Sequence, residues 1–277
     1  MTINCKGQLI DLSEPKIMAI LNTTPNSFFD GGSSESMDLI LKKVENYLKE
    51  EATFIDIGGY STKPGAEEVN EEIELQRTVP VVEAILKEFP EAILSIDTFR
   101  SKVARETVEA GAHLINDVSG GTLDNEMFKT IGDLKVPYIL MHMEGTPRTM
   151  QENPKYENVT LEVNRFLLDK VKELRALKVN DIILDPGFGF AKTLEHNYEL
   201  FNNLEIVGFN EYPLLVGISR KSMIYKLLNI TPKEALNGTT ALNMVALQKG
   251  AKILRVHDVK EAKQTIEIYQ ALKNSNI

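Results

Sequence analysis

A single cysteine, Cys5, stands in the whole chain, so no internal disulfide can form and a reducing compartment is the natural setting. Nowhere do about 18 apolar residues run together, and the opening stretch from Met1 to Gln8 holds no apolar core of signal-peptide length. A membrane span and a secretory leader are therefore not expected, and a cytoplasmic location is. No lysine- and arginine-rich run interrupts the formal net charge of −9, which makes nucleic acid and anionic membranes unexpected partners. Any anion the protein binds must be gripped by a few local cations. The four histidines, His113, His142, His196 and His257, show no ligand spacing, which disfavours a tightly held transition metal. Linkers and low-complexity segments are also missing, so residues 1–277 are read as one domain.

What the chain does have is a repeated alternation of short apolar runs and helical segments. The most informative run is Asp181-Ile-Ile-Leu-Asp-Pro-Gly-Phe-Gly-Phe190, in which three apolar residues lead into Asp185 before Pro186, Gly187 and Gly189 break the chain. An apolar run bounded by Pro and Gly reads as a buried strand. The carboxylate at its end is either a site residue or the cap of the following turn. Similar runs occur at 16–22, 53–58, 92–97, 112–117, 136–142, 213–219 and 252–257, which with 181–185 makes eight. A polar lead-in at 2–11 suits a small hairpin.

Helical periodicity fills the gaps at 37–50, 70–88, 101–110, 125–132, 159–178, 193–204, 222–228, 239–249 and 261–272. Eight strand–helix repeats over roughly 250 residues are the arithmetic of an α/β fold of the (β/α)8 TIM-barrel type. A doubly wound open sheet is the competing architecture. Its dinucleotide fingerprint is missing, since Gly187-Phe-Gly189 is only a lone Gly-x-Gly.

In a barrel of this type function sits at the C-terminal rim of the strands. The residues expected there are Asn22, Gly58 and Gly59, Asp97, Asn116 with Asp117, His142, Asp185, Ser219 with Arg220 and Lys221, and Arg255 with His257. The last two strand ends, Ser219-Arg-Lys-Ser222 and Arg255-Val-His257, are placed to bind a phosphate or diphosphate, the alternative being solvated basic turns. Across the mouth, Asp97, Asn116 and Asp185, with Asp56 one pleat deeper, suit a planar heterocycle that displays an amino group and a ring N–H. Magnesium held mainly through the anion would need only one or two protein oxygens. The breaker-rich stretches 23–32 and 59–65 read as rim loops. Neither Ser219 nor Ser222 has an evident partnered base, so electrostatic stabilisation of a departing anion is expected in place of covalent catalysis.

Residues 19–32, 55–66, 96–98, 115–121, 140–143, 184–190, 219–222 and 255–258 together resemble dihydropteroate synthase, in motif order and over nearly the whole chain. The resemblance implies condensation of 7,8-dihydropterin-6-ylmethyl diphosphate with p-aminobenzoate, a Mg2+ cofactor and a homodimer. It also implies residue roles. Asp97, Asn116, Asp185 and Lys221 would hold the pterin, with Met141 against its ring. Asn22, Thr62, Arg255 and His257 would hold the diphosphate, Asn22 also facing the magnesium. Phe28, Pro64, Phe190, Lys221 and Ser222 would form the p-aminobenzoate side. Catalysis would rest on Asp97, Asp185, Lys221, Arg255 and His257. Four positions depart from the commonest pattern of the family, namely Asn26, Phe29, Tyr60 and Lys63. The rival readings are a pterin-binding methyltransferase and a barrel that binds pterin without catalysis.

Overall fold

A computed structural model describes residues 1–23, 34–60, 69–146 and 154–275. Strand β1 (Thr2–Cys5) pairs antiparallel with β2 (Gln8–Asp11), as the lead-in suggested. Their two-residue turn uses positive φ at Lys6 (52°) and Gly7 (96°), the mirror-image geometry that matches strand twist.

Eight parallel strands follow: β3 (Lys16–Asn22), β4 (Phe54–Gly58), β5 (Ile93–Asp97), β6 (Leu114–Asp117), β7 (Tyr138–Met141), β8 (Ile182–Asp185), β9 (Leu215–Val216) and β10 (Ile253–Val256). Their order is β8-β7-β6-β5-β4-β3-β10-β9. The ring is closed between β8 and β9 by a lone parallel bridge, Leu184 to Leu214, with Leu184 N–H donating to the Pro213 carbonyl at 2.9 Å. The fold is thus a (β/α)8 barrel and not an open sheet. The run expected at 213–219 keeps only two residues in regular pairing, and at its start Pro213 has no N–H to give the ladder.

Helices α1 (Ser34–Lys49), α2 (Glu71–Glu88), α3 (Ser101–Glu109), α4 (Met127–Leu134), α5 (Val159–Ala176), α6 (Leu194–Asn202), α7 (Ser222–Leu228), α8 (Leu236–Gln248) and α9 (Val259–Asn274) run between and after the strands. Side-chain caps start several of them. Asn70 accepts from Ile73 N at 2.8 Å, Asn158 from Leu161 N at 2.9 Å, and Thr193 with His196 forms a reciprocal box. Among the described residues no helix is long and apolar enough to cross a membrane.

Period-two alternation sorts each strand into two faces. Ile17, Ala19, Leu21, Ile55, Ile57, Leu94, Ile96, Ile115, Leu140, Leu184 and Leu254 face the helices in one continuous core. The opposite face points into the barrel. At its N-terminal end Met18, Phe54, Ile93, Leu114, Ile139, Ile183, Leu215 and Ile253 pack with Ile3, Cys5, Ile10 and Leu12 of the hairpin, which plugs that mouth with apolar side chains. Two residues further along the same face stand Asp56, Ser95, Asn116, Met141, Asp185 and Arg255.

Alternation also corrects one reading. Asp117 was grouped with Asn116 on the rim, yet adjacent strand residues face opposite ways. Its carboxylate is buried on the helix side, accepting from Ser119 N and Oγ (both 2.7 Å), Gly121 N (2.9 Å) and Tyr138 Oη (2.6 Å). Four donors account for a buried charge that otherwise would be costly. Removing the hydroxyl in Tyr138→Phe should lower stability in urea unfolding by about 1.5–3 kcal/mol, the range for a hydrogen bond to a charged group. An unchanged midpoint would refute the account.

Candidate active site

The polar layer at the C-terminal mouth is organised by Arg255. Its Nε donates to Asp56 Oδ2 and its Nη2 to Asp97 Oδ2, each at 2.6 Å, and Asn116 Nδ2 donates to the same Asp56 oxygen at 2.9 Å. Strands β10, β4, β5 and β6 are tied together by these bonds. Although burial opposes it, the Asp56 and Asp97 carboxylates hold the Arg255 guanidinium above its ordinary value. Burial pushes the Asp97 carboxyl upward, with Arg255 as the main opposing influence. Asp56 is fully buried, and among the described residues its other oxygen, Oδ1, has no partner; nor has Asn116 Oδ1. Buried acceptors without donors call for an explanation, and in a polar mouth an entering ligand is a natural source of donors.

Asp185 resolves its two alternatives by combining them. Oδ1 accepts from Gly187 N at 2.8 Å and so caps the turn, while the buried carboxylate lies in the mouth, where burial raises it against the pull of Lys221. The turn demands glycine at 187, with φ of 71°, since a Cβ there would collide with the His142 carbonyl. Lys221 stands at the start of α7. Its ammonium donates to the Phe188 carbonyl and sits 4.4 Å from the Phe190 ring centroid. Burial pushes Lys221 down to about 8; Asp185 resists this and Arg255 reinforces it. Beside them Met141 packs with Val118, Met143 and Ala191, flanked by Phe99, Leu123 and Phe190, as an apolar wall.

The structure therefore brings Asp97, Asn116, Asp185, Lys221 and Arg255 to one mouth, with Met141 and Phe190 as its wall. Asn22 ends β3 at the same level, its Oδ1 and the Asp97 Oδ2 both lying within 4 Å of the point where a Gly58 Cβ would stand. Ser222 is partly buried as the first residue of α7. His257 is exposed just past β10, with its Nδ1 3.0 Å from Ser219 Oγ. Thr62, Phe28 and Pro64, with Asn26, Phe29 and Lys63, lie outside the described residues. The division into an acidic half and a cationic half fails at Arg255, which is bonded to two of the carboxylates. Arg220 is taken up by a bidentate pair with Asp258 (2.9 and 2.6 Å).

Other contacts had no visible signal in the sequence. His142, expected on the rim, is buried with its ring edge-on to Phe166 at 5.0 Å. Buried Lys192 places Nζ at 3.0 Å from each of the Gly187 carbonyl, the Phe190 carbonyl and His142 Nδ1, so it is the post around which the loop after β8 winds. Arg100 pairs with buried Glu74, donates to the Val69 carbonyl at 2.7 Å, and lies 4.9 and 5.5 Å from the Phe99 and Tyr60 rings. Tyr60 itself meets Phe99 edge-on at 5.3 Å. This gives the unusual residue at position 60 an aromatic partner.

Residues 18–257 match the model of the pterin-binding enzyme family. The dihydropteroate synthase of Escherichia coli K12 is 45% identical over 273 residues, covering 98% of this chain and 96% of that protein. The chain belongs to the dihydropteroate synthase family. Solved structures agree. The Yersinia pestis dihydropteroate synthase with a sulfonamide drug superimposes with a TM-score of 0.92 at 42% identity, covering all of both chains. The Xanthomonas albilineans dihydropteroate synthase with 4-aminobenzoic acid gives 0.90 at 36%, with 98% of each chain covered. As a member of this family the chain is a transferase of folate biosynthesis.

Lys192 sets a pH test for the dihydropteroate synthase site. Burial, resisted by Asp185, pushes its amine down to about 7 from an ordinary 10.5. Below that value the ammonium donates to two carbonyls and to His142; above it the amine donates twice and accepts from the imidazole. Between these two values the unfolded chain keeps a proton that the folded chain has released, so stability from Lys192 rises with pH through the window and is lost as pH falls through about 7. Urea unfolding should show the wild type gaining about 1–2 kcal/mol on Lys192→Met between pH 7 and 9. A constant difference would exclude this titration.

Proposed function

We propose that the chain condenses 7,8-dihydropterin-6-ylmethyl diphosphate with p-aminobenzoate, releasing diphosphate and forming 7,8-dihydropteroate in the cytoplasm. The observation that carries this reading is the pair of unpartnered acceptors, Asp56 Oδ1 and Asn116 Oδ1, in the same mouth as Asp185, Lys221 and the Met141 wall. A pterin is planar and offers an amino group and ring N–H groups beside acceptors. It would lie against Met141, donating to Asp56, Asn116 and Asp185 and accepting from Lys221 and the Asn116 amide. The wall by Phe190 and the start of α7 at Ser222 would receive the arylamine.

The donor set fits magnesium. Asn22 ends its strand with an amide oxygen near the Asp97 carboxylate, both hard donors. Asn22 would hold the ion, and one or two protein oxygens would suffice for an ion bound mainly through the substrate's diphosphate. Such an ion would supply charge neutralisation of the leaving diphosphate.

The residues of this chain would do the rest by electrostatics. Cleavage of the C–O bond leads, and positive charge spreads from the methylene into the electron-rich ring. Asp56, Asp97 and Asp185 are placed beside that ring and favour the charge. Arg255, fixed by two carboxylates, faces the departing anion together with His257. The arylamine is neutral near pH 7, so its nitrogen attacks without a strong base, and its proton passes to solvent or to the anion.

Incubating the chain with the pterin diphosphate, p-aminobenzoate and Mg2+ should release diphosphate in step with dihydropteroate, and absence of both products would end the reading. Asp185→Asn should weaken pterin binding by about 10- to 100-fold, the equivalent of losing one charged hydrogen bond. Full affinity measured by calorimetry would remove Asp185 from the pterin site.

A further inference from the structure

Two consecutive residues after β9 are linked to two consecutive residues after β10. Arg220 forms the bidentate pair with Asp258, and next to it Ser219 meets His257 twice. Ser219 Oγ accepts the His257 backbone N–H at 3.2 Å and lies 3.0 Å from Nδ1 of the same residue. Arg220 holds its end of this ladder rigidly: its φ is 57°, and its own N–H donates to Thr239 Oγ1 at 3.1 Å. The Ser219 side chain is buried, so its proton must find an acceptor inside the protein.

Proton accounting then assigns the imidazole. A hydroxyl has one proton to give and two lone pairs to receive with. One lone pair of Ser219 is taken by the His257 backbone. Among the described residues the acceptor within reach of the hydroxyl proton is Nδ1. An Nδ1 that accepts carries no proton, and in a neutral imidazole the proton is then on Nε2. Were Nδ1 to hold it instead, Ser219 would receive two bonds and its buried O–H would be left without an acceptor, which is the costly way to lose a hydrogen bond. That cost exceeds the small intrinsic preference between tautomers.

We propose that Ser219 is a positioning residue that fixes His257 as the Nε2–H tautomer and thereby makes the outer ring nitrogen a permanent hydrogen-bond donor. The role rests on the reading that His257 faces the diphosphate. An anion requires a donor, and a ring free to place its proton on Nδ1 would offer it a lone pair half the time.

The test is the nitrogen spectrum of protein labelled with 15N in its histidine rings, recorded about two units above the ordinary imidazole value so that neutral rings dominate. His257→Gln identifies the signals. Wild-type His257 should show an unprotonated Nδ1 and a protonated Nε2; Ser219→Ala should show a mixture; Ser219→Thr, which keeps the hydroxyl, should restore the wild-type pattern. In steady-state assays Ser219→Ala should lower kcat/KM for the pterin diphosphate about tenfold, with KM for p-aminobenzoate unchanged and recovery in Ser219→Thr. A wild-type ring protonated on Nδ1, or the same tautomer in Ser219→Ala, overturns the assignment. Unchanged diphosphate kinetics in His257→Gln would instead overturn the anion reading, and the two failures are separately visible.

Discussion

One guanidinium between two carboxylates holds the upper half of this barrel. Arg255 reaches from β10 across β3 to bond Asp56 on β4 and Asp97 on β5, and Asn116 on β6 joins the same Asp56 oxygen. Asp56 is wholly out of water and its two partners are largely so, and removing one partner of a buried charge set commonly costs up to about 3–5 kcal/mol. The network therefore cannot be trimmed residue by residue. Among the described residues it also leaves an oxygen of Asp56 and one of Asn116 without a donor. The atoms that hold the strand ends together are thus the same ones that the proposed pterin would meet.

The barrel interior divides these demands by height. The lower layer, from Met18 round to Ile253, is apolar and sealed by the hairpin at the N-terminus. Two residues higher on the same strands the chemistry changes to carboxylate, amide and guanidinium. The apolar plug and the helix-facing core supply the free energy of folding, and that surplus sustains a mouth full of desolvated charge. Lys192 follows the same logic in the loop after β8, where one buried amine gathers two carbonyls and an imidazole and so shapes the turn that carries Asp185 and Phe190.

Much of this was legible in the chain because a strand repeats every two residues. Asp56, Asp97, Asn116, Asp185 and Arg255 each end or nearly end an apolar run, and parity alone puts them on the barrel side. The same parity puts Asp117 outside, a step that grouping residues by motif obscured. Contacts made by long side chains across loops were not legible. Lys192 finds its acceptors only after Gly187 and Ala191 have adopted positive φ, and Arg220 finds Asp258 across 38 residues. The late start of β9 was visible in principle from Pro213, whose missing donor is a local property.

That thin ninth strand has a mechanical consequence. Where the other joints of the ring are stitched by several backbone bonds, the joint between β8 and β9 relies on the Leu184–Leu214 contact, and directly above it Asp185 and Lys221 attract each other from either side. Charge attraction therefore adds a link across the joint that has the least backbone pairing, so that one ion pair supplements what the missing ladder does not supply in keeping the ring shut.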